Sequence, residues 1–184
     1  MRLLFLAAVL AVTEPASLQS SVRAALHAAK SFVVNVKIEP MAAAPLGAGI
    51  TWTVVAPNRY RQVTHGDPTG DDDTIIIGHD VYGNKHGSWD VQTWDDGLVN
   101  GFEGDVFDIE VISAGPDRVV DGKTVGTFVR KSTVGPKDLT LTCTYDKATF
   151  RPLVCANRAE TETYERYDDP SVTIPAPAHA KRID

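Results

Sequence analysis

Three things are scarce in this sequence, and each shortage removes a class of protein. Positive charge is low: Lys and Arg number 18 against 24 Asp and Glu, a net charge of −6, and no basic run occurs. A nucleic-acid partner is therefore not expected. Long apolar runs are confined to the extreme N-terminus, where Glu14 and Pro15 end the run short of the roughly 20 residues a bilayer crossing needs. No integral membrane segment is expected in the mature chain. Catalytic signatures are also missing, with no G-x-S-x-G elbow, no H-E-x-x-H and no phosphate-cradling glycine loop. His86-Gly87-Ser88 sets a histidine near a serine, but adjacency in a turn is not a triad. Neither catalysis nor a cofactor is expected. What remains, 184 residues with 43% hydrophobic, 8% aromatic and 23% charged side chains, is the composition of one ordinary globular domain.

The N-terminus has the layout of a secretory signal: Met1-Arg2, then the apolar stretch Leu3 to Val12. We read residues 1–18 as the signal, with the cut between 16 and 20; Glu14 stands where a small residue would be usual. A buried N-terminal helix is the competing reading, opposed by the interruption at Thr13-Glu14-Pro15. No cysteine follows the apolar run, so a soluble periplasmic or secreted product without a lipid anchor is expected. Cys143 and Cys155 are the only cysteines, and they lie in two β-like segments that flank the turn-like stretch 146–151. Pairing of these strands about Thr149 sets the two directly opposite, within reach of a disulfide. Two free buried thiols are the alternative; a metal held by two cysteines alone is a weaker one.

Along the chain, Leu18, Val22, Ala25, Leu26 and Ala29 share one helical face, which predicts a short amphipathic helix over 17–30. From Phe32 the period becomes two, and Phe32, Val34, Val36 and Ile38 share one face of a strand. Residues 40–49 read as a loop long enough to move. Further β patterns cover 50–55, 59–64, 74–77, 88–94, 107–113, 125–133, 139–145, 153–160 and 162–167. They are separated by turn signals such as Gly78-His79-Asp80, Gly83-Asn84, Gly115-Pro116-Asp117 and Asp121-Gly122. The stretch 95–105 is either a second helix or a loop. The predicted class is α+β, mostly β: one domain over 19–176 built on a large curved antiparallel sheet, covered by the N-terminal helix and loops. Residues 177–184 read as a flexible tail. A sheet of this size has to curl or be covered, and a curled one offers a concave face.

The residues assigned to that face are Phe32, Val34, Val36, Ile38, Ile50, Trp52, Val54, Phe128 and Leu141. In a cavity they would bind an acyl chain by apolar burial, at about 0.8 kcal/mol per methylene. For any one of them a sealed core against the helix is the simpler reading. Arg59 and Arg61 flank Tyr60, so both guanidiniums lie opposite the tyrosine. They would hold a phosphate or carboxylate head group at a cavity rim, or else pair with neighbouring carboxylates. His65, Asp67, Asp71, Asp72, Asp73, His79, Asp80 and His86 supply metal-compatible ligands at no recognised spacing. We read them as a solvated loop, with loop-based metal binding as the third reading of function.

Several pieces in order resemble the LolA/LolB-like superfamily: Ser31-Phe32 at a strand start, Ala56-Pro57-Asn58-Arg59-Tyr60-Arg61, the turn Ile75 to Tyr82, and then Trp89. Val120-Asp121-Gly122, Thr144-Tyr145-Asp146 and Val172-Thr173-Ile174-Pro175 complete the set, which spans residues 20–176. Members are periplasmic lipoprotein carriers, outer-membrane lipoprotein receptors and related lipid-carrying exported proteins, built as a half-open β-barrel with helices at its mouth. The resemblance implies that fold here, of the LolA-like branch. It also implies a non-covalent carrier whose partner is a lipid or the acyl chain of a lipoprotein. With no basic face evident and a net charge of −6, which opposes docking on an anionic membrane, delivery is expected to depend on an envelope protein partner. The lipid-anchored receptor branch is disfavoured by the absent N-terminal cysteine. Two features depart from the pattern: the disulfide, and a covering segment reduced to 95–105. The alternative function is an envelope protein-interaction or structural module of the same fold with a closed core.

Overall fold

The computed structural model describes residues 14–40, 48–66, 71–85, 87–132 and 139–183. The signal-like stretch up to Thr13, the centre of the 40–49 loop, Asp67 and His86 lie outside the described residues.

Helix α1 (Pro15–Ala28) begins slightly earlier than the apolar pattern predicts, with Pro15 in its first turn, where the missing N–H is not needed. Leu18, Val22 and Leu26, spaced by four, are fully buried. A short turn leads into β1 (Ser31–Ile38), followed by β2 (Ala48–Val55), β3 (Arg59–His65), β4 (Asp72–Ile77), β5 (Asp80–Lys85) and β6 (Ser88–Thr93). These six strands form one antiparallel meander. Helix α2 (Asp96–Phe107), capped by Asp95 accepting from the Leu98 N–H, connects it to a second meander. That one comprises β7 (Val111–Val120), β8 (Lys123–Lys131), β9 (Thr140–Asp146), β10 (Pro152–Ala156) and β11 (Glu160–Glu165). Antiparallel pairing of β11 with β1 fuses the two. With β12 (Lys181–Arg182) the result is one twelve-stranded sheet, in the order β12-β6-β5-β4-β3-β2-β1-β11-β10-β9-β8-β7. The sheet is strongly curved and open, not closed into a barrel.

The predicted mostly-β class and the covering helix are what the structure shows, and the undecided 95–105 stretch is helical. Three local readings are corrected. Gly78-His79 makes the expected tight turn between β4 and β5, with Gly78 at φ +61°, but Gly83-Asn84, expected as a turn, lies within β5. There Gly83 and Asn84 pair with Thr74 and Asp73, so ladder hydrogen bonding outweighs the turn preference of Gly and Asn. Gly115-Pro116-Asp117 lies inside β7, where the register shifts between Gly115 and Arg118 and a bulge takes up the proline. The 107–113 strand starts only at Val111, because Phe107 ends α2. Asp121-Gly122 behaves as read: both residues have positive φ, as a tight hairpin turn requires.

The segment after β11 does not trail away. Asp168 N–H bonds the Ser31 carbonyl, Ser31 Oγ bonds the Asp169 carbonyl, and Arg59 Nη1 reaches the Ile174 carbonyl at 2.9 Å. Val172 and Ile174 are buried, as are Val33, Ile75 and Val91 on the sheet's convex side. Residues 181–182, expected within a flexible tail, instead pair with β6 as a parallel edge strand. Arg182 fixes them through Asp80 and the Thr93 hydroxyl.

Candidate functional site: the concave face

The strand register decides which side chains share the concave face. One row runs Phe32, Val54, Tyr60, Ile76, Val81 across β1 to β5; the next runs Val34, Trp52, Gln62, Thr74, Gly83. On the other side of β1, Val36 faces Glu162, and the row continues through Cys155 and Cys143 to Phe128. All nine residues assigned to this face therefore belong to one apolar cluster, but they divide by exposure. Phe32, Val34, Val36, Val54, Phe128 and Leu141 are buried together with Leu18, Val22 and Leu26 of α1. Phe107 of α2 meets the Phe32 and Tyr60 rings edge-on and stacks on His27. Ile38, Ile50 and Trp52 are only half-buried at the margin of this core.

Two recesses lie at that margin. The larger, about 380 Å³, is bounded by Lys37, Ile38, Glu39, Pro40, Ala48 and His65. The smaller, about 220 Å³, lies among Thr74, Val81, Gly83, Gln92, Trp94 and Ile183. Its floor is open because Gly83, directly opposite Thr74, has no side chain, and a Cβ placed there would meet nothing within 4 Å. A lone glycine within a strand is the sequence signal for such a gap, one that the neighbouring Asn84 disguises as a turn.

The sequence reading also missed a buried polar group in the same wall. Glu160, Glu162 and Tyr164 alternate along β11 with threonines facing out. Arg130 and Glu162, both 2% exposed, form a two-pronged ion pair. Tyr164 donates to Glu162 Oε2 at 3.0 Å, Ser132 Oγ donates to Glu160 Oε2 at 2.7 Å, and Arg130 Nη1 donates to the Lys131 carbonyl. Burial, reinforced by the Glu162 carboxylate against the pull of Ser132 and Arg130, pushes the Glu160 carboxyl up to about 7. Burial first, then Glu162, also drives the Tyr164 hydroxyl well above the ordinary phenol range.

These shifts fix a pH dependence. A carboxyl whose folded-state value is raised stabilises the fold fully below its unfolded value and loses that contribution as pH rises through the folded one. The melting temperature is therefore expected to fall between about pH 4.5 and pH 7. Asp168 and Asp169 are held below the ordinary carboxylate range by hydrogen bonds, and they oppose stability only in stronger acid. Thermal melts across pH 4 to 8 check this; Glu160→Gln is expected to flatten the decline.

Arg59 and Arg61 do lie opposite Tyr60, but that is the convex side, which corrects their placement at a cavity rim. Tyr60 is the residue that points into the core. Arg61 grips Asp73 through two hydrogen bonds of 3.0 and 2.7 Å, and Arg59 is held by the Ile174 carbonyl. The His and Asp residues of 65–86 separate into pairs: His65 with Asp71, His79 with Asp96, Asp73 with Arg61, Asp80 with Arg182. His65 and His79 sit at opposite ends of the β3–β4 pair. Among the described residues no three His, Cys, Asp or Glu side chains converge on a metal-sized site. Cys143 and Cys155 are directly opposite in the β9–β10 ladder and form a disulfide, fully buried in the concave wall.

No protein-family model and no curated protein matches the chain. Solved structures do. LprF from Mycobacterium bovis superposes with a TM-score of 0.55 at 15% identity, over 90% of this chain and 99% of that one. The lipoprotein LppX from Mycobacterium tuberculosis gives 0.53 at 14% identity, over 88% and 100%. The LolA superfamily protein NE2245 from Nitrosomonas europaea matches 84% of this chain and 93% of its own at 10% identity, with a TM-score of 0.33. The chain thus shares the curved half-barrel fold of LprF and LppX.

Proposed function

We propose that this protein is an exported, soluble carrier that holds a lipid or lipoprotein acyl chain non-covalently on the concave face of its half-barrel. The observation that carries the reading is the division of that face. One part is sealed under α1, while Ile38, Ile50 and Trp52 continue the same apolar surface only half-buried, and Ile38 borders the larger recess at its margin. Alkyl chain laid along that margin gains about 0.8 kcal/mol per methylene removed from water. The site needs no chemical step and no cofactor. Export is supported by the signal-like N-terminus and by a disulfide, which persists in oxidising compartments. The leader then ends ahead of Leu18, since a cut beyond it removes a fully buried residue of α1. Delivery falls to an envelope protein partner.

The six sealed residues favour a second reading, a closed core serving protein interaction alone. Organic extraction of the purified protein followed by mass spectrometry separates the two. The carrier reading expects a stoichiometric acyl-chain lipid or, from lipid-free preparations, uptake of an apolar fluorescent probe. Absence of both establishes the closed core.

A further inference from the structure

We propose that Arg130 and Glu160 form a polar anchor in the concave wall for the head of the carried molecule, one that takes a neutral hydroxyl. The inference rests on the carrier reading and names the ligand class of that same face. Arg130 and Glu160 are 2% and 3% exposed. Among the described residues, Arg130 Nε and Glu160 Oε1 are the buried side-chain atoms that find no hydrogen-bond partner. The remainder of the group is satisfied, by Glu162, Tyr164, Ser132 and the Lys131 carbonyl. Buried polar atoms are almost always paired in folded proteins, so two unpartnered atoms in one network mark a missing partner.

The chemistry of that partner follows from the two atoms. Arg130 Nε–H can only donate, and an ionised Glu160 Oε1 can only accept. A carboxylate or phosphate would suit the arginine but face Glu160 and Glu162; an ammonium would suit the glutamates but face Arg130. A hydroxyl accepts from Nε–H and donates to Oε1. When Glu160 is protonated its carboxyl can bond Glu162 instead, yet Arg130 Nε–H still lacks an acceptor, which the hydroxyl oxygen supplies. The position suits a chain on the open margin: Glu160 lies directly across the β11–β1 ladder from Ile38, which borders the 380 Å³ recess.

The test uses the full mature chain stripped of lipid and loaded with an apolar fluorescent probe, which is then displaced by decan-1-ol. Arg130→Lys keeps the charge opposite Glu162 but removes the Nε–H donor. Glu160→Leu removes the acceptor and serves if the first variant fails to fold. The expected result is a loss of about fivefold to tenfold in decanol affinity in either folded variant, with probe uptake unchanged. Equal decanol affinity in the wild type and a folded variant overturns the anchor and leaves the carrier reading intact. If wild-type protein takes up neither probe nor alcohol, the carrier reading itself fails and the anchor with it.

Discussion

Replacing Glu162 by leucine is expected to cost about 3–5 kcal/mol of stability, the usual penalty for stranding one member of a buried ion pair. Arg130 is 2% exposed, and the Tyr164 hydroxyl loses its acceptor in the same step. Among the described residues, Glu160 is the neighbouring carboxyl able to answer. Arg130 already draws it toward ionisation against the effect of burial, so in the variant its proton should leave at lower pH. The melting temperature of Glu162→Leu is then expected to lose its decline between about pH 4.5 and pH 7, besides being lower throughout. The double variant Arg130→Met with Glu162→Leu should recover most of the loss, because an apolar pair of similar volume needs no desolvation of charge. Urea unfolding at pH 7 measures all three. A single variant within about 0.5 kcal/mol of wild type would mean the pair is not buried as described.

Removal of the disulfide has the next largest expected effect. Cys143 and Cys155 close a short loop, with 12 residues of sequence separation, for which the lost constraint on the unfolded chain is worth about 3 kcal/mol. Both sulfurs are also fully buried between Phe128 on one side and Glu162 on the other along the same row. Replacing both by alanine therefore leaves a void in the concave wall as well as a freer unfolded state, for a total of about 3–5 kcal/mol. Thermal melts should show reductant lowering the wild-type transition to near that of the double alanine variant, with no effect on the variant itself. Insensitivity of the wild type to reductant under unfolding conditions would contradict the bond's stabilising role.

What was legible in the sequence was what is local. The period-four stripe of α1 and the period-two stripe of β1 each follow from burial of one face. The opposition of positions 143 and 155 followed from centring a hairpin on Thr149, and the ladder has that register. Three features were hidden because long-range contacts create them. Strand β5 forms because β4 and β6 supply partners on both sides, against local turn preference. The acidic alternation at 160 and 162 looks like a solvent face until Arg130, 30 residues earlier, is brought opposite it. The tail is ordered by distant groups: Ser31, Arg59 and the edge of β6. The arginines at 59 and 61 show the same limit in reverse: alternation gave their face relative to Tyr60, but not which face was concave.

The central claim is that the half-buried margin of the concave face binds alkyl chain. It is tested most directly by titrating lipid-free protein with an apolar fluorescent probe, comparing wild type with Ile50→Asp on the concave face and Arg61→Ala on the convex face. The account predicts saturable uptake by wild type, undiminished in Arg61→Ala and at least about tenfold weaker in Ile50→Asp, since a carboxylate there must be desolvated to admit the chain. No uptake by wild type, or equal uptake by Ile50→Asp, would contradict it.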